Sequence, residues 1–264
     1  GLIGASGGPK WLILGRLDRV VISELLSGRS RPLDAIGSSI GSWRHAAMAQ
    51  PDPIQAYDRF EQAYLTQNYT SAKPTVPEIT EVALWLMRTL LGEEGERHVA
   101  EHSWLRSHIV TARGRGFNGR QPGKRLIAGM GMAAFGYAVS RGTLPASFQR
   151  VVFASSSAEP LTPLFDGFGT RYIDLADNNV FDALMASGAI PYVFEGVYDI
   201  EGAGKGAFWD GGIIDYHFDL TRLPEDQVWL YPHFNSRTTV GWFDKFLPWR
   251  ADQQVSADQL IMIC

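Results

Sequence analysis

A single cysteine in 264 residues, Cys264, leaves no partner for a disulfide and no thiolate pair for a zinc site within the chain. That usage fits a reducing compartment, so a cytoplasmic protein is expected, with peripheral contact at a membrane as its refinement. Long apolar runs are missing too. The longest weakly polar stretch, Leu126 to Val139, has 14 residues, against about 20 for a spanning helix. The opening residues Gly1-Leu2-Ile3-Gly4-Ala5 carry no basic n-region, so no secretory signal is expected there. Neither sign of charge is in excess: 24 Lys and Arg stand against 28 Asp and Glu, a formal net of −4. Binding to nucleic acid driven by net charge is therefore not expected. The six histidines show no H-E-x-x-H or comparable spacing, and neither metal nor cofactor is expected. Internal repeats and low-complexity tracts are absent, and oligomeric state is unreadable.

What is present is ordinary globular composition, 45% hydrophobic and 20% charged, enough for one well-cored domain over 1–264. A strand already under way at Gly1 and an apolar run ending at Cys264 raise the expectation of a fragment. Residues 1–5 read as a strand, Lys10–Ser27 as an amphipathic helix and Leu33–Ile36 as a buried strand. A helix follows from Ser42 to about Gln50, ended by Pro51. Strand, glycine turn and helix, twice over, is the rhythm of a parallel sheet wrapped by helices. Right-handed crossovers then bring both glycine turns to one carboxyl edge. Further on, 52–107 reads as mostly helical, 125–141 as a Gly/Ala-rich helix and 179–189 as a short helix. Strands are expected at 109–112, 151–154 and 228–231, with a hairpin over 197–209 that delivers Asp210.

Three segments can carry chemistry. Gly37-Ser38-Ser39-Ile40-Gly41 fits G-x-S-x-G between a strand and a helix, where a sharp turn lifts the serine hydroxyl above the sheet. Gly4-Ala5-Ser6-Gly7-Gly8 satisfies the same pattern, so pattern alone does not choose Ser39 over Ser6. Adjacent glycines before a helix leave backbone N–H groups free, however, and these suit an oxyanion hole at Gly7 and Gly8, with Ile40 as a third donor. A phosphate-binding or plain tight turn is the bland alternative. Asp210-Gly211-Gly212 follows Phe208 and Trp209, whose apolar surroundings raise an aspartate above its usual pKa of about 3.9 towards useful basicity. Alone, it reads equally as a turn aspartate.

Together these segments resemble the patatin-like phospholipase family, which pairs a glycine-rich loop ending in a basic residue with a G-x-S-x-G elbow and an Asp-Gly-Gly motif. Here they are Ser6-Gly7-Gly8-Pro9-Lys10, Gly37–Gly41 and Asp210–Gly212, and Ala186-Ser187-Gly188-Ala189-Ile190-Pro191 resembles the family's small-residue segment. The resemblance spans roughly 1–215, with Ser6 and Lys10 departing from the usual glycine and arginine. It implies a three-layer α/β/α fold with a mainly parallel sheet, a helical cap over about 52–125, and a 221–264 extension of unclear role. It also implies a serine acyl hydrolase acting on lipid esters, with Ser39 as nucleophile, Asp210 as its direct base, and Gly7, Gly8 and Ile40 at the oxyanion. Lys10 and Ser6 would then meet substrate.

Alternatives stay open at this point. A Ser-His-Asp triad would recruit His45, His217 or His233. The same dyad could serve an acyltransferase, or the fold could be a silent lipid-binding protein. The basic stretch Arg113–Arg125 reads as a solvated loop or a site for anionic headgroups. Trp242–Trp249, with Lys245 and Arg250, reads as core packing or a lipid-interface seat, and Val82–Leu91 as core or lid.

Overall fold

The computed structural model describes residues 1–264 except 163, 166, 225, 226, 248 and 251–258; part of the expected C-terminal extension thus lies outside the described residues. Strand β1 (Leu2–Gly4) leads through a turn into α1 (Trp11–Val20), which continues as a π-helical segment, Val21–Leu26. Next come β2 (Leu33–Ser38), α2 (Ile40–Met48), α3 (Pro53–Thr66), α4 (Val76–Leu91) and α5 (Gly95–Ala100). The chain then forms β3 (Leu105–Gly114), α6 (Lys124–Val139), β4 (Phe148–Ser155), β5 (Arg171–Leu175) and α7 (Asp177–Gly188). It finishes with β6 (Val197–Tyr198), β7 (Ala207–Asp210), α8 (Gly212–Asp215), β8 (Trp229–Pro232) and β9 (Leu260–Ile263).

The strands join in the order β5-β4-β3-β2-β1-β8-β9, with the β6–β7 hairpin attached to β3. Five pairings are parallel and the β3–β4, β3–β7 and β6–β7 pairings antiparallel. Alternation along the strands makes the layers. Leu2, Ala35, Ile109 and Phe153 face one core, filled from α1–α5 and α7, while their neighbours Ile3, Ile36, Val110 and Ala154 face the other. Farther along that second face, Ala112, Ala207 and Trp209 pack against Leu126, Ala133 and Tyr137 of α6 and Ile213 and Ile214 of α8. The fold is a three-layer α/β/α sandwich around a mixed, mainly parallel sheet.

The expected helical insertion over 52–125 meets a different arrangement: helices occupy 53–100, but 105–114 is a strand bonded to β2, β4 and β7. Eight buried or half-buried residues from Leu105 to Ala112 need two core faces, which only a central strand offers. The helices start where capping permits. Asp52 accepts from the Gln55 N–H at 2.9 Å ahead of α3, and Thr75 and Glu78 form a reciprocal capping box on α4. Among the described residues of 221–264, β8 pairs with β1 and β9 with β8, which extends the sheet.

One buried network holds α1, α2 and α3 in register. Arg44 donates to both oxygens of Asp18, at 2.7 and 2.5 Å, and the Tyr57 hydroxyl adds a 3.0 Å bond to the same carboxylate. All three side chains are essentially excluded from water. In such surroundings the ionic pair stands only because it is bidentate and further hydrogen-bonded.

Candidate active site

Because β1 and β2 are parallel neighbours, with Gly4 level with Gly37, the two glycine turns leave the sheet side by side. At the second, Ser39 adopts φ 56°, ψ −131°, a backbone region that an L-residue enters only at a cost of about 1–3 kcal/mol. Its flanking glycines make room for this. A Cβ on Gly41 would lie 2.0 Å from the carbonyl oxygen of Gly4, and one on Gly37 would lie 2.6 Å from Cα of Ser42. The helix α2 therefore crosses β1 in direct backbone contact, and the elbow is tight because nothing but hydrogen occupies those positions.

The hydroxyl of Ser39 donates to Oδ2 of Asp210 at 2.7 Å. These residues are 171 apart in sequence, and both are about 6% exposed. Asp210 stands at the end of β7, opposite Thr111 on β3, while Ser38 is opposite Val110, so serine and carboxylate stop at one level of the sheet. Its Oδ1 accepts the Gly212 N–H at 2.6 Å. Burial pushes the Asp210 carboxyl up to about 6, against the Ser39 and Gly212 hydrogen bonds and the positive charge of Lys245, which pull it down.

The small-residue segment 186–191, whose role the sequence did not reveal, holds this pair in place. Ser187 donates its hydroxyl to the Val110 carbonyl at 2.7 Å and accepts the Ser39 N–H at 2.9 Å. With its one proton committed, Ser187 also accepts from the Ser42 hydroxyl, 2.9 Å away. The Asp210 N–H bonds to the Ala189 carbonyl and the Gly211 N–H to that of Ser187. The small-residue segment 186–191 thus ties elbow to aspartate. Its sequence signal was smallness alone, since any bulkier chain would hold β7 and α2 apart.

Two cavities open at Ser39. One, of about 230 Å³, is bordered by Ser6, Gly7, Gly8, Asp210, Trp242 and Lys245, among others. The second, about 130 Å³, runs under α3 and α4 between Ile40, Trp43, Tyr64, Ala83, Leu86 and Phe194. Ile40 is the first residue of α2, where no intrahelical carbonyl reaches its N–H. Gly8 turns with φ +54°, and no partner is recorded for the N–H of Gly7 or Gly8 among the described residues.

The other expected residues are distributed differently. Ser6 borders the larger cavity, but its hydroxyl donates to Ser38 at 3.0 Å and has no carboxylate partner. Lys10 borders neither cavity; it is exposed, with Nζ 4.9 Å above the Phe234 ring. The cation at the cavity is instead Lys245, seated 3.4 Å over the Tyr216 ring and lowered by burial to about 8. Of the C-terminal apolar residues, Phe243 and Leu247 are buried, Trp242 borders the cavity, and Phe246 and Trp249 face solvent. His45 and His217 are buried and pushed down to about 3 and about 2 by desolvation. No histidine borders either cavity among the described residues.

No curated protein and no solved structure matches the chain. A family model does, that of the patatin-like phospholipases, over residues 20–217. That span takes in Ser39, the 186–191 segment and Asp210 and leaves out the loop at Ser6–Lys10. It covers about three quarters of the chain, which therefore belongs to the patatin-like phospholipase family and is, with it, a lipid-hydrolysing enzyme.

Proposed function

We propose that the protein cleaves carboxylic ester bonds of lipids through a Ser39–Asp210 dyad and an acyl-serine intermediate. The observation that carries this reading is the 2.7 Å hydrogen bond from Ser39, held in a strained elbow, to a buried carboxylate raised to about 6. As Ser39 Oγ attacks the ester carbonyl, Asp210 takes its proton, and the tetrahedral oxyanion settles against the N–H groups of Gly7, Gly8 and Ile40. Each such donor is typically worth about 2.7–4 kcal/mol of barrier. Asp210 then returns the proton to the departing alcohol, activates a water, and that water releases the acyl group from Ser39. The apolar cavity under α3 and α4 suits the acyl chain, with those helices as its cap, and the Lys245 side suits the leaving group.

The direct experiment is labelling with a fluorophosphonate and mapping of the modified serine by peptide mass spectrometry. Label on Ser39, absent from Ser39→Ala, is the expected result; label on Ser6 alone would overturn the assignment.

The acid–base state of the dyad sets a pH profile. Asp210 works as a base only when ionised, so kcat/KM on a soluble ester should rise with pH, pass half-maximum at about 6 and level off above. Lys245 favours the ionised carboxylate. In Lys245→Met the rising limb should therefore move to higher pH, and a limb that moves down would contradict the electrostatic role given to Lys245.

A further inference from the structure

We propose that the exposed face of α6, rimmed by Arg120, Lys124 and Arg125 and continued by Phe246 and Trp249, is a docking surface for an anionic phospholipid bilayer. The inference deepens the lipid-hydrolase reading: it names the surface that would bring the Ser39 cavity to its substrate.

Three observations converge. The first is an apolar face with no polar counterpart. From Leu126 to Ser140 the chain has no charged side chain. Leu126, Gly129, Ala133 and Tyr137 are buried, yet Ile127, Met132, Phe135 and Val139 are 60, 58, 77 and 75% exposed. A surface helix of a globular protein ordinarily presents polar residues on its outer face, and a contiguous exposed apolar patch marks a binding surface.

The second is position. β3 is paired with β2 as far as Val110, at the level of Ser38, but continues to Gly114, so the excursion carrying α6 leaves from the same edge as the dyad. The 3-10 turn Trp242–Phe246 is fastened to α6 by the Tyr137 hydroxyl, 2.7 Å from Asp244, and by Arg250 on the Tyr137 carbonyl. Trp242 borders the Ser39 cavity and meets Phe246 edge-on, with ring centroids 5.6 Å apart. Phe246 and Trp249 are 65 and 69% exposed. The turn that carries exposed Phe246 thus joins α6 to the cavity wall.

The third is charge. No Asp or Glu occurs from His102 to Ala158, a stretch with eight Lys and Arg. The remaining 16 Lys and Arg against 28 Asp and Glu leave the rest of the chain at −12, so +8 is set apart in a chain of net −4. Arg106 and Arg150 bond to Asp34 and Asp215. Arg120, Lys124 and Arg125 are exposed and form no ion pair among the described residues. Two of them occupy the first turn of α6, where the helix dipole disfavours cations, so folding does not account for their placement. A second copy of the chain docking face to face would set these cations against themselves, whereas an anionic headgroup layer complements them and admits the apolar face.

The test is flotation with vesicles of phosphatidylcholine alone and of equal parts phosphatidylcholine and phosphatidylglycerol. Wild type should bind the anionic vesicles well above the neutral ones. Lys124→Gln with Arg125→Gln should weaken that binding by roughly 25-fold, about fivefold for each cation. Met132→Ser with Phe135→Ser should weaken it as well, and both double variants should hydrolyse a soluble short-chain ester at the wild-type rate. Equal or absent binding to the two vesicles overturns the proposal, as does a dimer in sedimentation equilibrium that Phe135→Ser dissociates. Vesicle binding without ester hydrolysis by wild type would sink the dyad reading and leave the surface standing; ester hydrolysis without vesicle binding does the reverse.

Discussion

Ser39→Ala is expected to lower kcat/KM on any ester substrate by at least about ten-thousandfold, because it removes the atom that forms the acyl intermediate. Asp210→Asn keeps the size of the side chain but cannot take the Ser39 proton, and should lose roughly 10²–10⁴-fold. The double variant should be hardly worse than Ser39→Ala alone, since two groups serving one step are not additive. Ser6→Ala should bring only a modest loss, its hydroxyl being engaged with Ser38. Activity retained in Ser39→Ala would end the assignment.

A stability measurement separates lost chemistry from lost structure in Asp210→Asn. The folded protein holds this carboxyl at about 6, above its ordinary 3.8, so the ionised form is the one that opposes folding. Above pH 6 the full penalty applies, and it fades as pH falls through 6 towards 3.8. The difference amounts to about 3 kcal/mol, from 1.36 kcal/mol for each pKa unit. Asp210→Asn should therefore unfold at higher urea than wild type above pH 6, with the gap closing in acid. An inactive but stabilised variant is what a catalytic carboxylate predicts; an inactive and destabilised one would point to a structural loss.

The second large effect is expected at Gly41. A methyl there would lie 2.0 Å from the Gly4 oxygen and 2.2 Å from its carbonyl carbon, far inside van der Waals contact. Both sides of the clash are backbone, one in α2 and one in β1, so no rotamer relieves it. Gly41→Ala must push the elbow helix off the sheet, at about 3 kcal/mol or more, and should take fluorophosphonate labelling of Ser39 with it. Gly131 in α6 is the control, because a Cβ there meets nothing within 4 Å. Gly131→Ala should be neutral or stabilising by about 0.5–1 kcal/mol through helix propensity. Urea midpoints of the two variants decide the matter, and a wild-type midpoint for Gly41→Ala would refute the close crossing.

Much of this arrangement is written in local sequence. Short, mainly apolar runs mark β2, β4 and the hairpin before Asp210, and glycines mark both turns, because each depends on residues only a few positions apart. The strand β5 is less legible, since Arg171 and Asp174 are exposed and only Ile173 and Leu175 are buried, so its apolar content is too thin to announce a strand. The apolar stretch at the centre of β3 is plain, but its extent, Leu105 to Gly114, is not, because its pairing with three different strands decides where it ends.

The sequence by itself determined the two opening strand–turn–helix units and their meeting at one sheet edge, and it offered Ser39 and Asp210 as candidates, all carried by short-range pattern and motif. Tertiary structure alone decided that their side chains meet at 2.7 Å and that Ser187 anchors the elbow from 148 residues away. It also decided that the cation at the cavity is Lys245 and not Lys10. A motif fixes backbone shape within a turn, whereas distance, burial and the pKa that follows from them arise only when remote strands pair and exclude water.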